Sequence, residues 1–456
     1  MYFCNMTLPE FIAEHENDDL AALVLQRHRW PDIDVSLAAE CIASRRKLRS
    51  KVPEWYADPS LVCPIALSAE QCSSTATAAY KAAVVEEACR LPPEAIREEQ
   101  RARPCPVEGP RSGHCSSASL QPALPTSLRI ADLTGGLGID CWQFSKVAGA
   151  VLYNEMNPAL FEAAKANLGR LGCDNVEFSN ICISPDTLPG LLDSFRPDLV
   201  FADPARRSEG RKVFLPEDCS PDVLALQDIV LGRGCRFMIK LSPMADISLM
   251  LRKFHCVKEL HVVEADGECK ELLLLLEPGF GGDAEIVVAC PASGPVSGYD
   301  DSFRFFRAEE KAAVPLFISE APVPGQILFD PGPALSKSSA FNLLSERFGL
   351  RKLGPSAHLY CTYPSDSVRH LAGYGKCFEI QEVAPFGKQT LRDFSSRWPG
   401  AEVTARALPL SSDELRLKLS ALSKKVSHSG GTHGTGFHLF GVGTSIGRLL
   451  ISARRT

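Results

Sequence analysis

The sequence predicts an α/β fold: a largely parallel sheet covered by helices, entered through a helical N-terminal domain and followed by small C-terminal α+β domains. Three observations predict it. Residues 127 to 280 alternate short apolar runs with helical periodicity, as strand-helix units of a parallel sheet do. Within them, Ala131 to Lys146 joins an apolar run to a helical one through a turn holding Gly135, Gly136 and Gly138. Outside this stretch the pattern changes, to helical spacing alone over residues 1 to 90 and to mixed short strands and helices from 281 onward.

In the N-terminal domain, Leu8, Phe11 and Ile12, then Leu20, Leu23, Val24 and Leu25, recur at helical spacing. The turn Pro31-Asp32-Ile33-Asp34 leads into a helix from Val35 to Leu48. Its end carries Arg45, Arg46, Lys47, Arg49 and Lys51, and cations suit a helix C-terminus. A solvated helix end is the expectation, with RNA-phosphate contact as the alternative. Trp55 and Tyr56 read as an aromatic packing point. Leu67-Ser68-Ala69-Glu70-Gln71 carries a capping pattern for a helix reaching Tyr80-Lys81 and beyond. Residues 91 to 126, with Leu91-Pro92-Pro93, Arg103-Pro104-Cys105-Pro106 and Ser116 to Ser119, read as a Pro/Ser-rich loop or linker.

The core domain, 127 to 280, opens with a buried strand, Leu128 to Leu133. The glycine turn allows positive φ and close approach of a ligand to the backbone. A helix follows, with Ile139, Trp142, Gln143, Phe144 and Val147 on its inner face. Its N-terminus offers free N–H groups and a partial positive charge, as a nucleotide site requires. Ala150 to Asn154 is a second strand, and Glu155 at its end is placed to accept hydrogen bonds from ribose hydroxyls. That pair is compatible with a dinucleotide or with S-adenosylmethionine (SAM). Asp198 to Ala202 is a later strand ending in Asp203-Pro204-Ala205-Arg206-Arg207, where open α/β sheets bind ligands. A helix from Pro158 to Leu168, strands Asn175 to Ser179 and Arg236 to Leu241, a helix Met244 to Phe254 and a hairpin from Leu260 to Glu277 complete the domain.

At this point the sequence resembles a family. Asp132-Leu133-Thr134-Gly135-Gly136-Leu137-Gly138-Ile139-Asp140, Asp203 to Arg207, Glu217-Asp218-Cys219-Ser220-Pro221 and Ile239-Lys240-Leu241-Ser242-Pro243-Met244 look like class I SAM-dependent methyltransferases of the bacterial group with a THUMP-like C-terminal domain. The resemblance covers most of the chain and is most specific in the core. It implies a Rossmann-like class I methyltransferase core, a ferredoxin-like domain at 281 to 368 and a THUMP-like domain at 369 to 456. It implies SAM as cofactor, held by Asp132, Thr134, Gly135, Gly136 and Gly138 at the methionine end and by Glu155 at the ribose, with Met156 and Asn157 flanking the adenine. Relatives place an acid after the third strand; here Asn180 and Cys182 stand there, with Asp186 further on. Asp203 is the group that meets the acceptor, with Arg206 holding phosphate or stacking on a base and Lys240 and Ser242 beside the same pocket. The Lys240 to Pro243 stretch lacks the nucleophilic Cys of carbon-5 pyrimidine methyltransferases, which favours direct transfer to nitrogen or oxygen.

Length and composition bound the rest. At 456 residues the chain holds two to four domains. Seventeen cysteines scatter singly with no CxxC pair, so they read as packed, reduced thiols and no metal is expected. His428 and His433 read as solvated. The N-terminus has no signal-peptide pattern, and no run of eighteen apolar residues exists, so a cytoplasmic protein without membrane contact is expected. From His370 to Thr456 there are twelve Lys and Arg against six Asp and Glu, a charge of +6 on a chain of −6, so the remainder carries −12. A basic C-terminal domain on an acidic body points to a polyanion, and RNA (tRNA or rRNA) is the expected partner. Two other readings stay open: an NAD(P)-dependent oxidoreductase, which the glycine turn and distal acid would also serve, and a non-catalytic RNA-binding adaptor.

Overall fold

A computed structural model describes residues 6–90, 127–206, 215–291, 302–365, 371–423 and 436–456. The expected linker, Arg207, His428 and His433 lie outside the described residues. The chain divides into two compact units. The first comprises Met1–Leu260, Glu271–Asp283 and Pro291–Asp301; the second comprises His261–Lys270, Ala284–Cys290 and Ser302–Thr456.

The first unit opens with α1 (Leu8–Glu14), α2 (Leu20–Leu25), α3 (Val35–Lys51), α4 (Pro53–Ala57), α5 (Ala66–Gln71) and α6 (Thr75–Ala88). Asp34 caps α3, its carboxylate accepting the Leu37 N–H at 3.0 Å. At the basic end of α3, Arg46 and Arg49 are exposed, as a solvated helix end requires, while Arg45 is buried. Buried Arg45 donates to the carbonyls of Tyr56 and Asp58, Arg46 to those of Glu16 and Asp18, and Lys51 to those of Glu70 and Cys72. These cations satisfy the orphan carbonyls of neighbouring turns. The helix expected to run from Leu67 past Lys81 is two helices. Ser74 starts the second with a capping hydroxyl toward the Thr77 N–H, leaving Cys72 and Ser73 in an extended step between α5 and α6.

The core of this unit contains β1 (Arg129–Asp132), α7 (Ile139–Phe144), β2 (Ala150–Asn154), α8 (Pro158–Arg170), β3 (Val176–Ser179), α9 (Leu188–Phe195), β4 (Leu199–Ala202), a short antiparallel pair β5 (Ala205–Arg206) and β6 (Cys219–Ser220), α10 (Val223–Leu231), β7 (Arg236–Leu241), α11 (Ile247–Lys253), the start of β8 (Val257–Ala265) as far as Leu260 and the end of β9 (Glu268–Leu276) from Glu271. Across the sheet the order is β3-β2-β1-β4-β7-β9-β8, parallel from β3 to β7, with β9 antiparallel to β7. The order reverses between β1 and β4, so the carboxyl ends of β1, β2 and β4 flank a crevice. The central strand β4 is apolar throughout and every one of its residues is buried, as a strand covered on both faces requires. Two helices are shorter than the periodicity predicts. α7 stops at Phe144, before Val147, and α11 begins at Ile247 behind its cap Asp246. Trp55 packs edge-on against Trp142, and Asn167 exchanges two hydrogen bonds with the backbone of Val62. The N-terminal helices therefore share one packed body with the sheet.

In the second unit β10 (Glu285–Ala289) pairs antiparallel with β11 (Phe303–Phe306). Following are α12 (Arg307–Ala312), β12 (Leu316–Phe317), β13 (Ile327–Pro331), α13 (Pro333–Ser338), α14 (Phe341–Phe348), β14 (Arg351–Lys352), β15 (Tyr360–Thr362), β16 (Gly375–Pro385), α15 (Lys388–Arg397), β17 (Glu402–Arg406), α16 (Ser412–Ser423), β18 (Phe437–Thr444) and β19 (Gly447–Arg455). A single helix is expected from Lys337 to Phe348; the chain instead breaks at Ser339, which has φ +62°. Eight strands form one sheet, β12-β14-β15-β13-β16-β19-β18-β17. The last six elements of the chain run strand-helix-strand-helix-strand-strand. Phe378, Phe440, Ile380 and Ile451 fill one apolar layer, and Phe394, Leu415, Leu439 and Leu450 another.

Candidate active site

The crevice at the carboxyl ends of β1, β2 and β4 holds a cavity of about 380 Å³, within the roughly 300–1,000 Å³ usual for small-molecule sites. Thr134, Gly135, Gly136, Glu155, Met156, Asn157 and Asp203 line it.

The glycine turn is set by what surrounds it. The Gly135 N–H donates to the carbonyl of Asn154 at 2.7 Å, and the Tyr153 hydroxyl donates to the carbonyl of Gly136 at 2.6 Å. The Tyr153 ring lies so close that a Cβ on Gly135 would sit 2.1 Å from Cε2. Glycine is required at 135 by this contact and at 136 by a φ of +54°. Glu155 locks the turn from the next strand. Its carboxylate accepts the Gly136 N–H at 2.9 Å and the Asn157 N–H at 2.8 Å, facing the cavity beside the glycine backbone. Asn154 ties the strand ends together, donating to the carbonyls of Leu133 and Ile181 and accepting the Ile181 N–H. After β4 the Asp203 N–H donates to Thr134 Oγ1 at 2.6 Å, which brings the Asp-Pro step against the glycine turn.

Other expected site residues stand behind the cavity rather than on its wall. Asp132 is fully buried; Oδ1 accepts the Thr134 N–H at 3.1 Å and Oδ2 has no hydrogen-bond partner. Burial, then the nearby Asp140 carboxylate, raises its pKa well above the usual carboxylate range. Gly138 supplies the first capping position of α7 at φ +91°, packed toward Leu168 and Ala164. Asn180 donates to the Glu155 carbonyl, so it supports Glu155 from outside. Lys240 does not reach the cavity. Its ammonium donates to Asp203 Oδ2 at 2.6 Å. Burial would lower its pKa, but the Asp203 and Glu271 carboxylates outweigh that and hold the pKa above the usual lysine value. Lys240 is therefore a fixed cation under Asp203, not a proton carrier. The backbone of Arg206 pairs with Cys219 across β5 and β6.

Several cavity residues are illegible in the sequence. Ser68 and Gln71 come from α5 and Cys72 and Ser73 from the step after it, far upstream of the glycine turn in the chain. Asp140, Ile181, Cys182 and Ile183 also line it. Isoleucines 181 and 183 stand where an acid was sought after the third strand. Only the break after Gln71 could have flagged the α5–α6 step. Burial pushes the Cys72 thiol up to about 11, so it stays protonated near neutrality and is no nucleophile. Cys219 is fully buried in β6. Among the described residues no cluster of His, Cys, Asp and Glu is arranged to hold a metal ion, and no helix is long and apolar enough to cross a membrane.

Known proteins resemble this arrangement. A family model described as a ferredoxin-like domain matches residues 328–365. An uncharacterized S-adenosylmethionine-dependent methyltransferase of Mycobacterium tuberculosis H37Rv is 25% identical over 293 residues, covering 64% of this chain and 73% of that protein; its counterpart in strain CDC 1551 matches equally. A crystal structure from Porphyromonas gingivalis W83, described as a candidate methyltransferase, superimposes with a TM-score of 0.74 at 26% identity, covering 99% of this chain and 98% of that one.

Proposed function

We propose that this SAM-dependent methyltransferase modifies a base in structured RNA (tRNA or rRNA) by direct transfer to nitrogen or oxygen. Bound SAM supplies a methyl group already activated on a sulfonium, so the protein's task is alignment. The cavity residues fit such a donor: the close-approach glycine backbone admits its chain, the Glu155 carboxylate suits ribose hydroxyls, and Met156 with Ile181 and Ile183 offers an apolar seat for adenine. Asp203, held by Lys240 at 2.6 Å, accepts a hydrogen bond from the attacking group and orients its lone pair.

The observation that carries this reading is the Thr134–Asp203 hydrogen bond, which sets the Asp-Pro turn beside the glycine turn. An oxidoreductase has no use for that juxtaposition, and the curated relatives are named methyltransferases. The protonated Cys72 and buried Cys219 support transfer without a covalent cysteine intermediate. RNA is supported by the resemblance of residues 369 to 456 to THUMP-like domains and by their charge. All ten Lys and Arg described there are exposed, among them Lys388, Arg392, Arg448, Arg454 and Arg455.

The test is full-length protein with radiolabelled SAM and separate pools of tRNA, rRNA, DNA and small metabolites. Label in an RNA pool is expected, with transfer falling steeply as salt rises. Label in metabolites or protein and none in RNA would remove the RNA reading and leave the methyltransferase.

A further inference from the structure

The polar side chains on the cavity wall can be sorted by what already holds them. Glu155 is engaged by the Gly136 and Asn157 amides, and the Asn157 side chain accepts the Ala159 N–H at the start of α8. Asn154 ties the strand ends together. Thr134 receives the Asp203 N–H, the Asp203 carboxylate receives Lys240, and Asp140 receives the Ser73 hydroxyl at 2.8 Å. Three side chains are left over. The hydroxyls of Ser68 and Ser220 and the amide of Gln71 line the cavity and meet no partner among the described residues. Few, well-placed polar groups of this kind are what orient a ligand in such a cavity.

All three are tied to Asp203 by the fold. Ser220 on β6 pairs with Ala205, two residues after Asp203. Ser68 and Gln71 lie on α5, and the step after α5 is anchored by buried charge. Lys81 on α6 is fully buried; its ammonium donates to Ser73 Oγ at 2.9 Å and to both Glu271 oxygens at 2.9 and 3.1 Å. Glu271 faces Lys240 at 3.9 Å, and Lys240 closes on Asp203. Charge then narrows what the wall admits. Asp140, Glu155 and Asp203 line the cavity, and no lysine, arginine or histidine stands among its lining residues. A phosphate or carboxylate brought there would be buried beside like charge with no cation on the wall to pair it. An uncharged group that offers hydrogen-bond donors and acceptors meets no such penalty.

We propose that Ser68, Gln71 and Ser220 form the wall that recognises the methyl acceptor, and that Gln71 selects an uncharged nucleobase by pairing its amide with adjacent donor and acceptor atoms on the base edge. A glutamine amide offers two donors and an acceptor in one plane, the pattern that base edges answer. The serine hydroxyls each donate or accept and complete the contact, while the phosphates of the acceptor stay outside the acidic cavity. This rests on the base-methylation reading above and assigns the choice of acceptor to the N-terminal helices.

The test uses full-length protein with radiolabelled SAM and separate pools of tRNA, rRNA, DNA and small metabolites, alongside calorimetric titration of S-adenosylhomocysteine. The Gln71 side chain is exposed and held by nothing in the protein, so its variants are expected to fold. Gln71→Ala is expected to lower kcat/KM for the labelled RNA pool by about tenfold or more, the loss of a hydrogen-bonded base edge, with S-adenosylhomocysteine affinity unchanged. Gln71→Glu, which keeps the size and removes the amide donors, should act in the same direction, and Ser220→Ala should act more weakly. RNA labelling that Gln71→Ala and Ser220→Ala leave at the wild-type rate, or S-adenosylhomocysteine affinity that falls in step with transfer, would overturn the wall and leave the RNA reading standing. Label in DNA in place of RNA, lost in Gln71→Ala, would support the wall and remove the RNA reading. Label only in small metabolites, or in no pool by protein that binds S-adenosylhomocysteine, would overturn both.

Discussion

Lys81 of the first unit is fully buried and shared by two carboxylates, whereas three ion pairs toward the end of the second unit keep their arginines about half exposed: Arg397 with Glu382 at 48%, Arg406 with Asp330 at 45% and Arg416 with Asp413 at 55%. The same residue types therefore do different physical work. An exposed pair gains little over its hydration and loses side-chain entropy. A buried set pays a large desolvation cost and persists where its geometry serves something besides stability. In this chain the buried set sits directly behind the cavity. Charge that is costly to bury stands beside the cavity, and charge on the surface stays hydrated.

The largest effect that would sharpen this contrast is Lys81→Met, which leaves Glu271 and Asp140 without their cation. A loss of about 3–5 kcal/mol is expected for one partner removed from a buried pair, read by urea unfolding of the full chain. Arg416→Ala should leave unfolding unchanged within error; equal effects at the two sites would break the contrast. Next is Gly135→Ala. Its Cβ meets the Tyr153 ring, and overpacking of about 1–3 kcal/mol should displace the turn and weaken SAM about tenfold or more in a binding titration. Retention of wild-type affinity would show that the ring moves aside freely. A smaller effect is expected at Asp132. Its folded pKa is raised, so the folded chain holds a proton where the unfolded chain, with an ordinary carboxylate near pH 4, has released it. Stability should fall as pH rises from about 4 through the folded value. Asp132→Asn should remove that slope and raise the thermal midpoint at pH 7, and an unchanged slope would mean that Asp132 is ionised.

What the sequence made legible follows the same division. The strand, glycine turn and helix from Arg129 to Phe144, the acid Glu155 and the Asp203-Pro204 step are local patterns, each with its own short-range cause, and the fold brings them together. Asp203, Glu155, Thr134, Gly135 and Gly136 line the cavity, while Gly138 caps α7 behind it. The network around Lys81 was invisible because its partners lie far apart in the chain: Glu271 is 190 residues away, and no spacing rule connects them. The run from Arg45 to Lys51 divides: Arg46 and Arg49 are exposed as its composition implies, while Arg45 is buried on the carbonyls of Tyr56 and Asp58, which only the tertiary packing of α3 reveals. Lys240 pairs with Asp203 at 2.6 Å while Asp203 lines the cavity, and no spacing in the sequence says which of the two faces it.

The central claim is that the cavity between the glycine turn, Glu155 and Asp203 binds SAM. Calorimetric titration of full-length protein with SAM and, separately, with NAD tests it most directly, with Glu155→Ala measured alongside. SAM is expected to bind and NAD to give no heat, and the variant should bind SAM about 1–3 kcal/mol more weakly for the lost ribose hydrogen bonds. Heat with NAD and none with SAM, or SAM affinity untouched by Glu155→Ala, would contradict the account.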